Sequence, residues 1–116
     1  MVSPATVNTY EVEVPEPEVN LEVNEPLTVE ELIEQYPWPV EKAKAIMLCE
    51  SSGNPNAVGD KDTAYHSYGY FQVRALPGRL PPEKLLDPVV NVHQAYKLWA
   101  QTESFTRHWV NCSKRI

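Results

Sequence analysis

Glu50 is the residue in this 116-residue chain best placed to do acid–base chemistry. On a helical wheel of about 100° per residue started at Val40, Ala43, Ile46 and Met47 gather within one arc of roughly 120°, and Glu50 falls inside it. The charges Glu41, Lys42 and Lys44 lie elsewhere, and the last two turns are apolar on nearly every side. The pattern predicts a carboxylate on the buried face of a buried helix, at its C-terminal end. Desolvation raises the pKa of such a group and the negative end of the helix dipole raises it further, whereas a neighbouring Lys or Arg opposes both. A carboxylic acid kept protonated near neutrality is a general acid.

Two other chemistries compete for the same residues. Cys49 with His66 or His93 would make a nucleophile–base pair. Cys49 points away from the arc that holds Glu50, however, and Cys112 offers it a partner. One disulfide between them would close a long loop, worth roughly 4 kcal/mol in the chain-entropy model; two buried thiols would read the same. Two Cys and three His show no C-x-x-C or H-x-x-x-H spacing, so no metal site and no cofactor are expected.

The elements that must position Glu50 start near Thr28. Thr28-Val29-Glu30-Glu31 reads as a capping box for a short helix, Val29–Tyr36, that stops before Pro37. Pro39 suits the first turn of the helix that carries Glu50, which runs to about Ser51 with Gly53 as its stop. Residues 54–82 are turn-rich, broken by one aromatic stretch, Tyr65–Val73. Asp87 as N-cap and Pro88 at the first position open a long helix to about Gln101, with Val89, Val92, Tyr96 and Trp99 as its core stripe and Asn91 off it. A tail helix or turn at Phe105–Trp109 follows. The fold class expected is mainly α with long loops.

Charge divides the chain. Residues 1–37 hold nine acidic side chains, no Lys or Arg, and five of the eleven prolines. Residues 38–116 hold ten Lys and Arg against seven Asp and Glu, a net +3 within a total of −6. An acidic, proline-punctuated segment buries too little apolar surface to offset its ordering entropy. Residues 1–26 are therefore expected to be a disordered tether and residues 27–116 the folded domain. No 18-residue apolar run exists, so no transmembrane helix is expected. The scattered basic residues lack the dense stripe that nucleic-acid phosphates require. Met1–Tyr10 has no basic residue and no apolar segment, so no secretory signal peptide is expected there.

Three segments in order carry a resemblance. Glu50-Ser51-Ser52-Gly53-Asn54-Pro55-Asn56-Ala57-Val58-Gly59-Asp60 resembles the catalytic-glutamate segment of the lysozyme-like superfamily, in its lytic transglycosylase and goose-type lysozyme branch. Ser67-Tyr68-Gly69-Tyr70-Phe71-Gln72-Val73 is similar to that branch's Gly-Leu-Met/Phe-Gln motif, with Tyr70 where Leu is usual. Asp87-Pro88-Val89-Val90-Asn91-Val92 is similar to its Asp-Pro-x-x-Asn-Ile helix start, and Phe105 and Trp109 to its closing aromatic pattern. Cys49 and Cys112 resemble the disulfide of secreted members. The late Ala-Tyr-Asn signature of the soluble transglycosylases has no counterpart, which points to a minimal, phage-type or secreted form.

The resemblance implies a lysozyme-like domain that cleaves the β-1,4 bond between N-acetylmuramic acid and N-acetylglucosamine in peptidoglycan, with Glu50 as general acid. A second carboxylate would be Asp60 or Asp62, unless Glu50 works alone as acid and then base to give a 1,6-anhydro sugar. Substrate contacts are implied for Ser67, Tyr68, Gly69, Tyr70, Gln72 and Asn91. The implied partner is a peptidoglycan glycan strand, met as a monomer outside the cell, in the periplasm or on a virion. The alternative is a non-catalytic glycan-binding module of the same fold.

Overall fold

A computed structural model of the chain describes residues 27–116. The expected tether, residues 1–26, lies outside the described residues. Among the described residues, five helices and one small sheet follow in the order α1 (Val29–Glu34), α2 (Val40–Ser51), β1 (Val58–Gly59), β2 (Ser67–Tyr68), β3 (Val73–Arg74), α3 (Pro82–Leu85), α4 (Pro88–Thr102) and α5 (Val110–Ser113). The domain is mainly α, with a three-stranded antiparallel sheet in the turn-rich middle.

Helix ends follow the local signals. Thr28 Oγ1 accepts the Glu31 amide at 3.1 Å while Glu31 Oε1 accepts the Thr28 amide at 2.9 Å, closing the capping box. Asp87 Oδ1 accepts the Val89 amide at 2.9 Å at the start of α4. Such caps are worth about 1 kcal/mol each. Pro39 is the N-cap of α2 rather than a residue of its first turn, and Ser52, in the left-handed region at φ 55°, ends the helix one residue before Gly53.

Apolar surface is buried around α2 and α4. Ala43, Ile46 and Met47 of α2 are fully buried, as the wheel predicts, but Leu48 is exposed, so the last two turns of α2 are covered on one side only. The buried side chains of α4 are Asn91, Val92, Ala95, Tyr96 and Leu98, with Val89 and Trp99 only half-buried. This corrects the expected stripe: α4 is packed by α1 as well as by α3 and β3, so the helix needs a wider buried face than one stripe supplies.

Trp38, in the link between α1 and α2, is the centre of an aromatic pile. Its ring meets Phe71 at 5.5 Å, Tyr96 at 5.6 Å and Phe105 at 5.8 Å, and its indole N–H donates to Ile33 O at 2.9 Å. Tyr36 stacks on Tyr96 at 4.9 Å. Each such contact adds about 0.5–1.5 kcal/mol beyond the area it buries. At the far end of the domain Cys49 and Cys112 form a disulfide with Cα atoms 5.9 Å apart, joining α2 to α5. No described helix is long and apolar enough to cross a membrane.

Candidate active site

A cleft of about 350 Å³ opens between the C-terminal end of α2, the small sheet and the α4–α5 connection. Glu50 and Asp60 both line it, together with Ser67 and Gln72. Asp62 is exposed on the loop beyond β1 and does not line the cleft.

Glu50 reaches the cleft because it sits one turn after Met47 on the face of α2 that faces the interior, and it is half-buried there. Burial raises its pKa first and the negative charge of Asp60 raises it further, while Arg115 acts in the opposite direction. The dominant cause is the desolvation that the wheel predicts.

Asp60 is held by the register of the sheet. Gly59 pairs with Ser67 and Ser67 with Arg74, so one row across the three strands brings Ser67 and Arg74 beside the residue that follows Gly59. The Ser67 hydroxyl donates a short hydrogen bond to Asp60 Oδ2, and Arg74 Nη2 lies 3.2 Å from the same oxygen. The Ser67 hydrogen bond is the largest cause that lowers the pKa of Asp60; Arg74 adds to it and His66 contributes, against a smaller desolvation. Two carboxylates therefore share one cleft in opposite protonation tendencies.

Gln72 and its turn form another part of the cleft lining. The Gln72 amide donates to Ala57 O and Gly69 O, both at 3.0 Å, tying the approach to β1 to the turn before β3. Gln72 and Asp60 both hold left-handed backbone, φ 51° and 56°, at a cost of order 1 kcal/mol or more each for residues with a Cβ. A Cβ at Gly59 would stand 2.3 Å from Gln72 Oε1, so a glycine there is what admits the amide.

The Tyr68–Phe71 turn is held from below. Asn91 is fully buried; its Oδ1 accepts the Phe71 amide, and its Nδ2 donates to Tyr68 O and Leu85 O, each at 2.8 Å. Gly69, at φ 81°, is buried against it: a Cβ there would stand 2.4 Å from Asn91 Nδ2. Two of the residues with implied substrate contacts lie in or under the turn instead of on the cleft surface. Asn91 and Gly69 do not line the cleft, because the amide that fills the space under the turn leaves neither of them a free face. Tyr68 and Tyr70 are half-buried and also outside the cleft lining, whereas Ser67 and Gln72 are within it.

Sequence reasoning missed the cationic part of the lining. Arg74, Arg79, Arg107 and His108 border the cleft, with Trp109 beneath, its indole N–H donating to Phe71 O at 2.8 Å. The net +3 of residues 38–116 was the only sequence signal for them. No group of three His, Cys, Asp or Glu side chains that could hold a metal ion occurs among the described residues.

No curated protein and no solved structure matches the chain. Residues 35–110 match the lysozyme-like domain, a span that contains Glu50, the sheet and the whole of α4, and the chain belongs to that family.

Proposed function

We propose that the chain is a glycosidase that cleaves the β-1,4 bond between N-acetylmuramic acid and N-acetylglucosamine in peptidoglycan, with Glu50 as the general acid. The observation that carries this reading is the pair of carboxylates in one cleft, Glu50 driven toward its protonated form by burial and Asp60 held ionised by Ser67 and Arg74. Separated pKa values assign the roles of acid and anion.

Glu50 gives its proton to the glycosidic oxygen as the C1–O bond breaks. Asp60, its charge fixed by two partners, stabilises the positive charge that develops at C1. The Glu50 carboxylate then takes the proton of the group that attacks C1. Attack by water gives a reducing end; attack by the 6-hydroxyl of the same sugar gives a 1,6-anhydro product. The disulfide and the family match support action in an oxidising space outside the cytoplasm, on a wall polymer.

The test is lysis of purified cell walls by the full chain and by Glu50→Gln, followed by mass spectrometry of the released fragments. Loss of lysis with wall binding retained is expected for the acid role. Unchanged lysis by Glu50→Gln overturns it, and a wild-type chain that binds walls without releasing fragments marks a binding module instead. The two products differ by the mass of one water, which identifies the attacking group.

A further inference from the structure

The cationic end of the cleft has a composition that bond cleavage alone does not require. Arg74 is committed to Asp60 at 3.2 Å, and no carboxylate among the described residues pairs with Arg79 or Arg107. Arg79 is half-buried after the Pro77-Gly78 turn, and its Nη1 donates to Arg74 O at 3.2 Å, which fixes the guanidinium in place. Arg107 comes from the other side, in the connection between α4 and α5, next to His108. The three side chains converge: burial holds the His108 pKa below its usual value, and the charges of Arg79 and Arg107 both push it down further. With Asp60 balanced by Arg74, the cleft lining presents two guanidinium groups, Arg79 and Arg107, that no carboxylate among the described residues pairs.

We propose that Arg79 and Arg107 form a subsite for a carboxylate carried by the glycan, so that the cleft selects acid-bearing strands over neutral ones. This rests on the reading of the cleft as a glycan site. Arg79 is half-buried and Arg107 exposed at the rim, so an anion can reach both from solvent, and guanidinium groups present paired donors that match a carboxylate. Both arginines line the cleft that holds Glu50 and Asp60, so a strand bound there would bring its own acidic substituents to them. A wall glycan offers two sources, the lactyl carboxylate of N-acetylmuramic acid where the peptide has been removed and the terminal carboxylate of a peptide stem where it remains.

The experiment measures binding rather than cleavage, by calorimetry on the full-length Glu50→Gln chain. The ligands are the N-acetylglucosamine–N-acetylmuramic acid disaccharide and the same disaccharide with a dipeptide stem, each as free acid and as methyl ester. At least about tenfold tighter binding of one free acid than of its ester is expected, and the pair that shows it identifies the source. Adding Arg79→Gln and Arg107→Gln together is expected to bring the acid down to the affinity of the ester. Adding Arg79→Lys and Arg107→Lys instead retains the charge but not the paired donors, and is expected to keep a reduced preference. Equal binding of acid and ester in both pairs overturns the proposal, as does a preference unchanged by the double Gln substitution. Tighter binding of a short DNA oligonucleotide than of either free acid overturns it in favour of a phosphate ligand. The failures are separable: unchanged wall lysis by Glu50→Gln removes the glycosidase reading, whereas the acid-over-ester preference stands or falls by itself.

Discussion

The end of α2 and the edge of the small sheet each present one carboxylate to the cleft, and they treat it in opposite ways. At the helix end the surroundings are apolar core on one side and a disulfide on the other, and Glu50 is held toward its protonated form chiefly by lost hydration. At the sheet edge the surroundings are polar, and a hydroxyl and a guanidinium hold Asp60 ionised. An acid is made by withholding partners, and a fixed anion by supplying them. The two regions also differ in what secures them: the helix end is clamped covalently to α5, whereas on the sheet side one buried amide ties the Tyr68–Phe71 turn to Leu85 of α3 by three hydrogen bonds.

The largest expected effect is on activity. Glu50→Gln removes the proton donor and is expected to lower wall lysis by roughly 10²–10⁴-fold in a turbidity assay. The same change separates the two regions by stability. Folding raises the proton affinity of Glu50, so its ionised form weakens the fold above its folded pKa, and this cost vanishes below the ordinary value of 4.5. Glu50→Gln is therefore expected to melt above the wild type at pH 7 and together with it near pH 3.

Next in size is the helix-end clamp. Replacing Cys49 and Cys112 by Ser is expected to cost about 4 kcal/mol in urea unfolding, and more activity than its effect on the folded fraction at 25 °C explains, because α5 and Arg115 border the Glu50 side. On the sheet side, Asn91→Ala leaves the Phe71 amide, Tyr68 O and Leu85 O without their partner and opens a hole under the turn; a loss of about 2–4 kcal/mol is expected in the same assay.

The smallest effect on the fold is expected from Asp60→Asn, since its ion pair with Arg74 is half-exposed and worth at most about 1 kcal/mol. The pKa of Asp60 is lowered by folding, so this stabilisation is present above the ordinary value of 3.8 and is lost as pH falls through the folded value. Removing its charge also removes one cause of the raised Glu50 pKa, so the alkaline limb of the pH–rate profile is expected to move to lower pH. An alkaline limb that stays in place would mean that the two carboxylates do not sense each other.

What the sequence reveals about each region follows from the range of the interactions involved. Thr28, Asp87 and the Glu50 face of α2 are legible because caps and wheels depend on residues within one turn of each other. The sheet is not, since strands of two residues are too short for an alternating pattern. Asn91 is placed off the core by hydropathy because its partners, Phe71 and Tyr68, are twenty or more positions away and satisfy an amide that would otherwise favour water. Asp60 could not be separated from Asp62 without the register that puts Ser67 and Arg74 beside one of them. That Arg79 and Arg107 line one cleft is likewise decided only by the fold.

Gly69 and Asn91 carry a consequence for how this chain can vary. With the amide of one 2.4 Å from where a methyl group of the other would stand, neither position can be altered on its own without loss. A side chain gained at 69 displaces the amide, and a smaller residue at 91 strands three backbone groups before it makes room. A change at either position alone therefore costs stability, so the two positions, twenty-two residues apart, are expected to change together or not at all.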